Sequence, residues 1–315
     1  MTIHSLYILI FNKKINARVF TSIIVRVIVA ILIISFALKM LDFTVNQNDL
    51  IRKYQLAKLD NTDLQVENII LGDSSGGNGV SAVHFTELSQ QKTKNYSLTG
   101  GYGILGSLGI LKKALISNKN IKNVIIVHTL DIWDRPYPKE ALVQLFPLDY
   151  TLNKLDINNL LAYFFNIKEI WWNFNHVLKN ASLEIDQGND YTLQSVKKYS
   201  NNLKSFNSKF SLNNKVLSSD KIEELEMLEG FCKEYSLNCI FLNGPIHKKL
   251  IKNSNIFVNH LRKDIKTKFK NIKYYDEILF YPNHKMGDSL DHIDTKFKNE
   301  STADYFNLIK NDLLR

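Results

Sequence analysis

At 315 residues, with 45% hydrophobic and 23% charged residues, the chain has a globular composition, which excludes a disordered protein, and no fixed-period repeat points to a solenoid. The net charge of +9, 40 basic against 31 acidic residues, is scattered as lysine with no nucleic-acid reader motif beside it. No nucleic-acid partner is expected; an acidic envelope polymer or an anionic lipid surface suits the charge.

Residues 1–18 hold Lys13, Lys14 and Arg18, and residues 19–43, "VFTSIIVRVIVAILIISFALKMLDF", are the most apolar stretch of the chain. Its uncharged centre, Val27 to Leu38, is 12 residues long and as a helix would rise only ~18 Å against a ~30 Å bilayer core. Arg26 and Lys39, one near each end, complete a span by snorkelling outward. The reading is a single membrane anchor with residues 1–18 cytoplasmic; a signal peptide cleaved near Ser35-Phe36-Ala37 is the alternative. Either places the large domain outside the cytoplasm, after a juxtamembrane segment at 44–64.

Five short runs with β character follow: "NIILGD" (68–73), "KNYSL" (94–98), "NVIIVHTL" (123–130), "NCIFLNG" (238–244) and "IKYYDE" (272–277). The first, third and fourth are nearly all apolar, as strands buried on both faces are, and the other two are half-polar, as edge strands are. Helical spacing separates them at Leu105, Leu108, Ile110, Leu111 and Leu115. It recurs in "SSDKIEELEMLEGFCKEY", where Ser-Ser-Asp supplies capping signals and Ile222, Leu225, Leu228 and Phe231 share a face. Strand–helix alternation predicts an α/β fold with a parallel sheet covered on both sides. Between the third strand and that helix, "NLLAYFFNIKEIWWNFNHVLKN" reads as a packed helix within a cap-like insertion at about 136–219. Cys232 and Cys239 could pair in an oxidising compartment, but buried reduced thiols are the expected state, since a helix-to-strand step often holds such residues too far apart to bridge.

In an open parallel sheet, ligands bind beyond the carboxyl ends of the strands. Three such ends carry chemistry: "GDSSGGNG" after the first strand, "HTLDIWD" after the third and "NGPIH" after the fourth. A serine acts as nucleophile only with a base in reach and donors for the developing oxyanion. Ser74 is the candidate, with Gly76, Gly77 and Gly79 letting a substrate approach the backbone and Gly100 or Gly101 of "NYSLTGGYG" offering a second bare amide. The base is expected in "MGDSLDHIDTKF", where His292 has Asp291 beside it and Asp288 four positions earlier; His247 and His284 are rivals. Each element alone also reads as a turn or a solvated loop; their convergence carries the argument.

These blocks, Gly-Asp-Ser after the first strand, glycine after the second, and an Asp/His pair before the last helix, resemble the SGNH (GDSL) hydrolase superfamily over about residues 65–310. More narrowly, "ILGDSS…NYSLTGGYG…VHTLDIW…DHID" resembles its membrane-anchored branch that modifies envelope polysaccharides. The resemblance implies a flavodoxin-like three-layer sandwich with a five-stranded parallel sheet of order 2-1-3-4-5 and a helical insertion after the third strand. It implies a serine acyl-enzyme on Ser74 with His292 as base, O-acyl ester substrates on an envelope glycan, and no metal or cofactor. A membrane-bound acyl-donor partner is compatible with it. Two departures stand out. The third block normally carries an oxyanion-donating asparagine, where this chain has His128-Thr129-Leu130-Asp131, leaving Trp133 or His128 as substitutes. The usual acid position, three before the histidine, is Ser289, so Asp288 and Asp291 both remain candidates. The leading function is an esterase or O-acyltransferase; the alternative is a catalytically silent module of the same fold that binds glycan or scaffolds an assembly.

Overall fold

The computed structural model describes residues 17–40, 47–60, 65–158, 217–250, 259 and 262–313. The strands β1 (Asn68–Gly72), β2 (Thr93–Asn95), β3 (Asn123–His128), β4 (Asn238–Asn243) and β6 (Ile272–Tyr275) form one parallel sheet in the order β2-β1-β3-β4-β6. Counted within that sheet, this is the expected 2-1-3-4-5. The sixth and seventh strands arise because Ile246–His247 (β5) and Phe280–Tyr281 (β7) pair as a separate two-stranded sheet.

All residues of β1 and β3 are buried, and β4 is buried from its second residue on. Their apolar runs thus serve two faces at once. Ile70, Ile125, Val127, Ile240 and Leu242 meet Phe85, Tyr305, Phe306, Ile309 and Leu313 in one core cluster. By the alternation of a strand, Ile69, Leu71, Val124, Ile126 and Phe241 point to the other face. The helix α5 (Gly103–Ser117) packs on β1; after the short α6 (Lys139–Leu145) and α7 (Leu148–Lys154), α8 (Ser219–Glu234) packs on α5 and β4. The short α3 (Ser74–Gly79), α4 (Ala82–Ser89) and the last helix α9 (Lys298–Leu313) cover the first face. A buried polar row crosses the opposite end of the sheet from the site. Asn238 donates to Asn123, Asn123 to Asn68, and Asn68 to the Thr93 hydroxyl, at 2.7, 2.8 and 3.1 Å. These residues are in register across four strands, so a one-residue slip would break every link.

Two local expectations are corrected. Cys232 and Cys239 form a disulfide, with Cα atoms 6.2 Å apart. Ser236 adopts a left-handed φ of 53° immediately after α8, and the Leu237 amide bonds the Cys232 carbonyl at 2.8 Å, so the chain reverses tightly enough to bring the last helical turn onto β4. Cys232→Ser is expected to lower stability by about 2–3 kcal/mol, the chain-entropy value for so short a loop, read as a urea midpoint shift that reductant abolishes. In α8 the buried side chains are Lys221, Glu224, Leu225, Leu228 and Cys232, while Ile222 and Phe231 are only half-buried. The Lys221 ammonium reaches both Glu224 oxygens, at 2.9 and 3.1 Å, and this pair turns the inner face away from the apolar stripe that spacing alone suggests. Within the segment 44–64, residues 47–60 form a helix, α2 (Gln47–Asp60), whose Ile51 and Gln55 are buried and whose Gln55 amide donates to the Ser97 carbonyl at 2.8 Å.

The helix α1 (Ala17–Met40) belongs to a different compact unit from the one that holds the sheet. Its described side chains, 19–34 and 37, are mostly apolar and mostly exposed, Val19, Ile23, Val27 and Ile33 among them. Among the described residues no helix is long and apolar enough to cross a membrane. The aromatic segment expected as a helix at 159–180, and nearly all of the insertion beyond residue 158, lie outside the described residues.

Candidate active site at the carboxyl edge of the sheet

The site begins where β1 stops. Gly72 has φ +147°, and a Cβ there would lie 1.8 Å from the Val127 carbonyl oxygen, so only glycine lets β1 turn against β3 at this point. Asp73 follows as the N-cap of α3 and is fully buried. Its carboxylate accepts from the Ser75 amide at 3.0 Å, the Ser75 hydroxyl at 2.6 Å and the Thr129 amide at 3.1 Å, fastening the ends of β1 and β3 together. His128 Nδ1 and the Arg135 guanidinium each stand 3.5 Å from the same oxygen, Oδ2. Burial disfavours the charged form, but His128, Arg135 and the Ser75 hydroxyl outweigh it and hold Asp73 well below the usual carboxylate range.

The two adjacent serines are thereby separated in role. Ser75 is completely buried with its hydroxyl committed to Asp73. Ser74 is half-buried, and its carbonyl accepts from the Asn78 amide at 2.8 Å while its hydroxyl stays uncommitted. The glycines that follow have another task than the expected one. A Cβ on Gly76 would meet the Val127 oxygen at 2.7 Å and one on Gly79 would meet Pro245 at 3.2 Å; Gly76, Gly77 and Gly79 are all buried, and the first and last seat α3 against β3 and the turn after β4 rather than admit a substrate.

The acid–base pair comes from a pinned loop. Met286 and Ile293 form an antiparallel bridge, the Gly287 amide donates to the His292 carbonyl at 2.7 Å, and the His247 amide donates to the Leu290 carbonyl at 2.9 Å. Within it His292 Nδ1 meets Asp288 Oδ1 at 2.7 Å, and the Asp291 carboxylate accepts from the Ser289 hydroxyl. Asp288 is therefore the carboxylate on the ring. The His292 side chain is 14% exposed and Asp288 58%. Burial opposes a charged ring, but Asp291, Asp288 and the more distant Asp73 together raise the His292 pKa. The field of Asp73, next to Ser74, thus reaches His292, as that of Asp291 reaches Asp131 and Arg135. Chain ends from β1, β3 and the late loop form one electrostatic unit. No hydrogen bond joins His292 to Ser74 Oγ among the described residues, and the ring nitrogen opposite Asp288 is open.

The remaining expected residues divide. Gly100 and Gly101 line a cavity of about 450 Å³ together with Arg135, Tyr137 and Glu140. Asp131 is 34% exposed and forms an ion pair with Arg135 at 2.7 Å; burial and the neighbouring carboxylates Asp73 and Asp291 push its pKa up to about 6 despite that arginine. His128 and Trp133 are buried and unavailable to a substrate: His128 stacks on Phe241 with Nε2 3.0 Å from the Ser107 hydroxyl, and Trp133 packs on Phe241 and edge-on to Tyr274. Of the rival histidines, His247 is buried with Nδ1 accepting from the Lys249 amide, and His284 lies against Phe297. Arg135, which sequence reasoning did not single out, sits at the centre of the cluster; the Asp131–Arg135 spacing of four was its only local signal. Among the described residues no cluster of metal-ligating side chains occurs.

No family model matches this chain, and no curated protein matches it either. Among solved structures, an acetyl xylan esterase from the rumen bacterium Butyrivibrio proteoclasticus aligns with a TM-score of 0.34 and 10% identity, over 80% of this chain. This chain spans 65% of that protein's length.

Proposed function

We propose that the chain is an SGNH-type serine esterase or O-acyltransferase that handles O-acyl groups, acetyl above all, on a cell-envelope polysaccharide. The observation that carries this reading is the Asp288–His292 pair, its second ring nitrogen open, in the field of the residue that precedes an uncommitted Ser74. Nδ1–H donating to Asp288 fixes the tautomer in which Nε2 accepts a proton. Ser74 Oγ attacks the ester carbonyl as its proton passes to Nε2. The carbonyl electron pair moves onto oxygen, and collapse expels the alcohol, which takes the proton back from His292. Water or a sugar hydroxyl then resolves the acyl-enzyme. The test is a fluorophosphonate probe with the labelled residue mapped by mass spectrometry: Ser74 is expected, and labelling elsewhere or nowhere overturns the reading.

Asp288→Asn is expected to lower the plateau rate on the order of 10²–10⁴-fold, the range general acid–base catalysis supplies. Both Asp288→Asn and Asp291→Asn remove a carboxylate that raises the His292 pKa, so each moves the acid limb of the pH–rate profile to lower pH. Only the first should reduce the plateau. A profile of kcat/KM from pH 4 to 9 separates the two.

An extracytoplasmic location is part of the proposal. It is supported by the exposed apolar side chains of 19–34 and by a buried disulfide, which persists in oxidising compartments. Protease added to intact spheroplasts should digest the domain. A second reading, a silent binding module of the same fold, draws on the lack of a His292–Ser74 hydrogen bond among the described residues; an unlabelled Ser74 would favour it.

A further inference from the structure

A tetrahedral oxyanion needs donors, and Asp131 stands where the resemblance expects a carboxamide. An ionised carboxylate cannot donate. The structure fills that place differently. One terminal nitrogen of Arg135 forms an ion pair with Asp131 Oδ1 at 2.7 Å, while the other lies 3.5 Å from Asp73 Oδ2. That second nitrogen rests on Gly100 so closely that a Cβ there would be 1.8 Å from it. The guanidinium therefore bridges the end of β1, beside Ser74, and the glycine turn after β2. It is 27% exposed, at the wall of the cavity of about 450 Å³.

We propose that Arg135 is a catalytic residue that donates hydrogen bonds to the carbonyl oxygen of the substrate ester as that oxygen becomes an oxyanion. This rests on the serine-ester reading above. A guanidinium carries five N–H donors, and two carboxylates leave some of them for a substrate. It also keeps its proton at any working pH, so it gives hydrogen bonds and no proton. The proton of Ser74 still travels to His292 and from there to the leaving oxygen. Asp131 becomes a positioning residue, aiming the fork and compensating its charge, and Gly100 leaves open the volume in which the fork lies.

The test uses the full chain with p-nitrophenyl acetate and a fluorophosphonate probe. Arg135→Gln should lower kcat by about 10²–10³-fold, the loss typical of one oxyanion donor, with KM changed only a few-fold. Its Ser74 should still label on long incubation. Added guanidinium ion should restore part of the rate to Arg135→Ala. Arg135→Lys keeps the positive charge between Asp73 and Asp131 but not the fork, and serves if the glutamine variant fails to fold; a loss of tenfold or more in kcat is expected. Wild-type kcat in Arg135→Gln or Arg135→Lys, or a folded Arg135→Ala that guanidinium does not revive, would overturn the assignment while leaving the serine mechanism intact. A wild-type chain whose Ser74 neither labels nor turns over would instead remove the reading on which it rests.

Discussion

Ser74→Ala is expected to abolish turnover and covalent labelling, a loss on the order of 10⁴–10⁶-fold, with no measurable loss of stability. The first half follows from the nucleophile's place in a unit: when serine and histidine act together, removing either costs nearly as much as removing both. His292→Ala should thus fall almost as far, and the double variant no further. The second half follows from geometry. Among the described residues the Ser74 hydroxyl makes no hydrogen bond, so its deletion should break nothing, and the melting temperature should stay within the small shifts of a neutral surface change. Ser75→Ala is the internal contrast. Its hydroxyl donates to Asp73 at 2.6 Å inside the domain, and losing it should cost ~1–2 kcal/mol while most turnover remains. Melting curves and initial rates on the two variants together decide which serine serves chemistry. Equal stability losses, or full activity in Ser74→Ala, would sink the assignment.

The sheet was legible because burial on both faces leaves a plain signature: "NIIL", "NVIIV" and "CIFL" have no polar side to hide. The helix at 103–117 was legible for the same reason, being buried almost all round. Legibility failed where a side chain's destination depends on a distant segment. Trp133 and His128 sit among groups at the end of β3 but turn inward because Phe241 and Tyr274, on β4 and β6, offer them a ring surface. The glycines of α3 look like an open approach to the backbone until Val127 and Pro245 are in place against them. The disulfide depended on one left-handed residue, Ser236, that no pattern marks. Arg135 is the clearest case: its tie to Asp131 is local, whereas its seat on Gly100 exists only once β2 and β3 flank β1. The acid on His292 was undecided between two aspartates because loop shape, not spacing, selects Asp288.

Asp73→Ala should be the most destabilising single change at the site. The variant strands three donors in the interior, the Ser75 amide, the Ser75 hydroxyl and the Thr129 amide, and takes from Arg135 one of its two carboxylates. Removing one partner of a buried charged network typically costs 3–5 kcal/mol, about as much as the whole stability of a marginal domain. Asp73→Asn keeps the volume and an accepting oxygen but turns an N–H toward donors, so a smaller loss is expected. The pH dependence gives a sharper signature than either magnitude. The folded pKa of Asp73 lies below its ordinary 3.8, so its stabilisation is complete above the unfolded value and disappears as pH falls through the folded one. Between neutral pH and pH 5 the gap in stability between wild type and Asp73→Asn should therefore be constant. Below about pH 4 the gap should narrow, because the wild type is losing what the variant never had. Urea titrations at a series of pH values measure that gap directly. A gap that stays constant down to the acid transition would mean that the ends of β1 and β3 are held by packing, with the carboxylate a bystander.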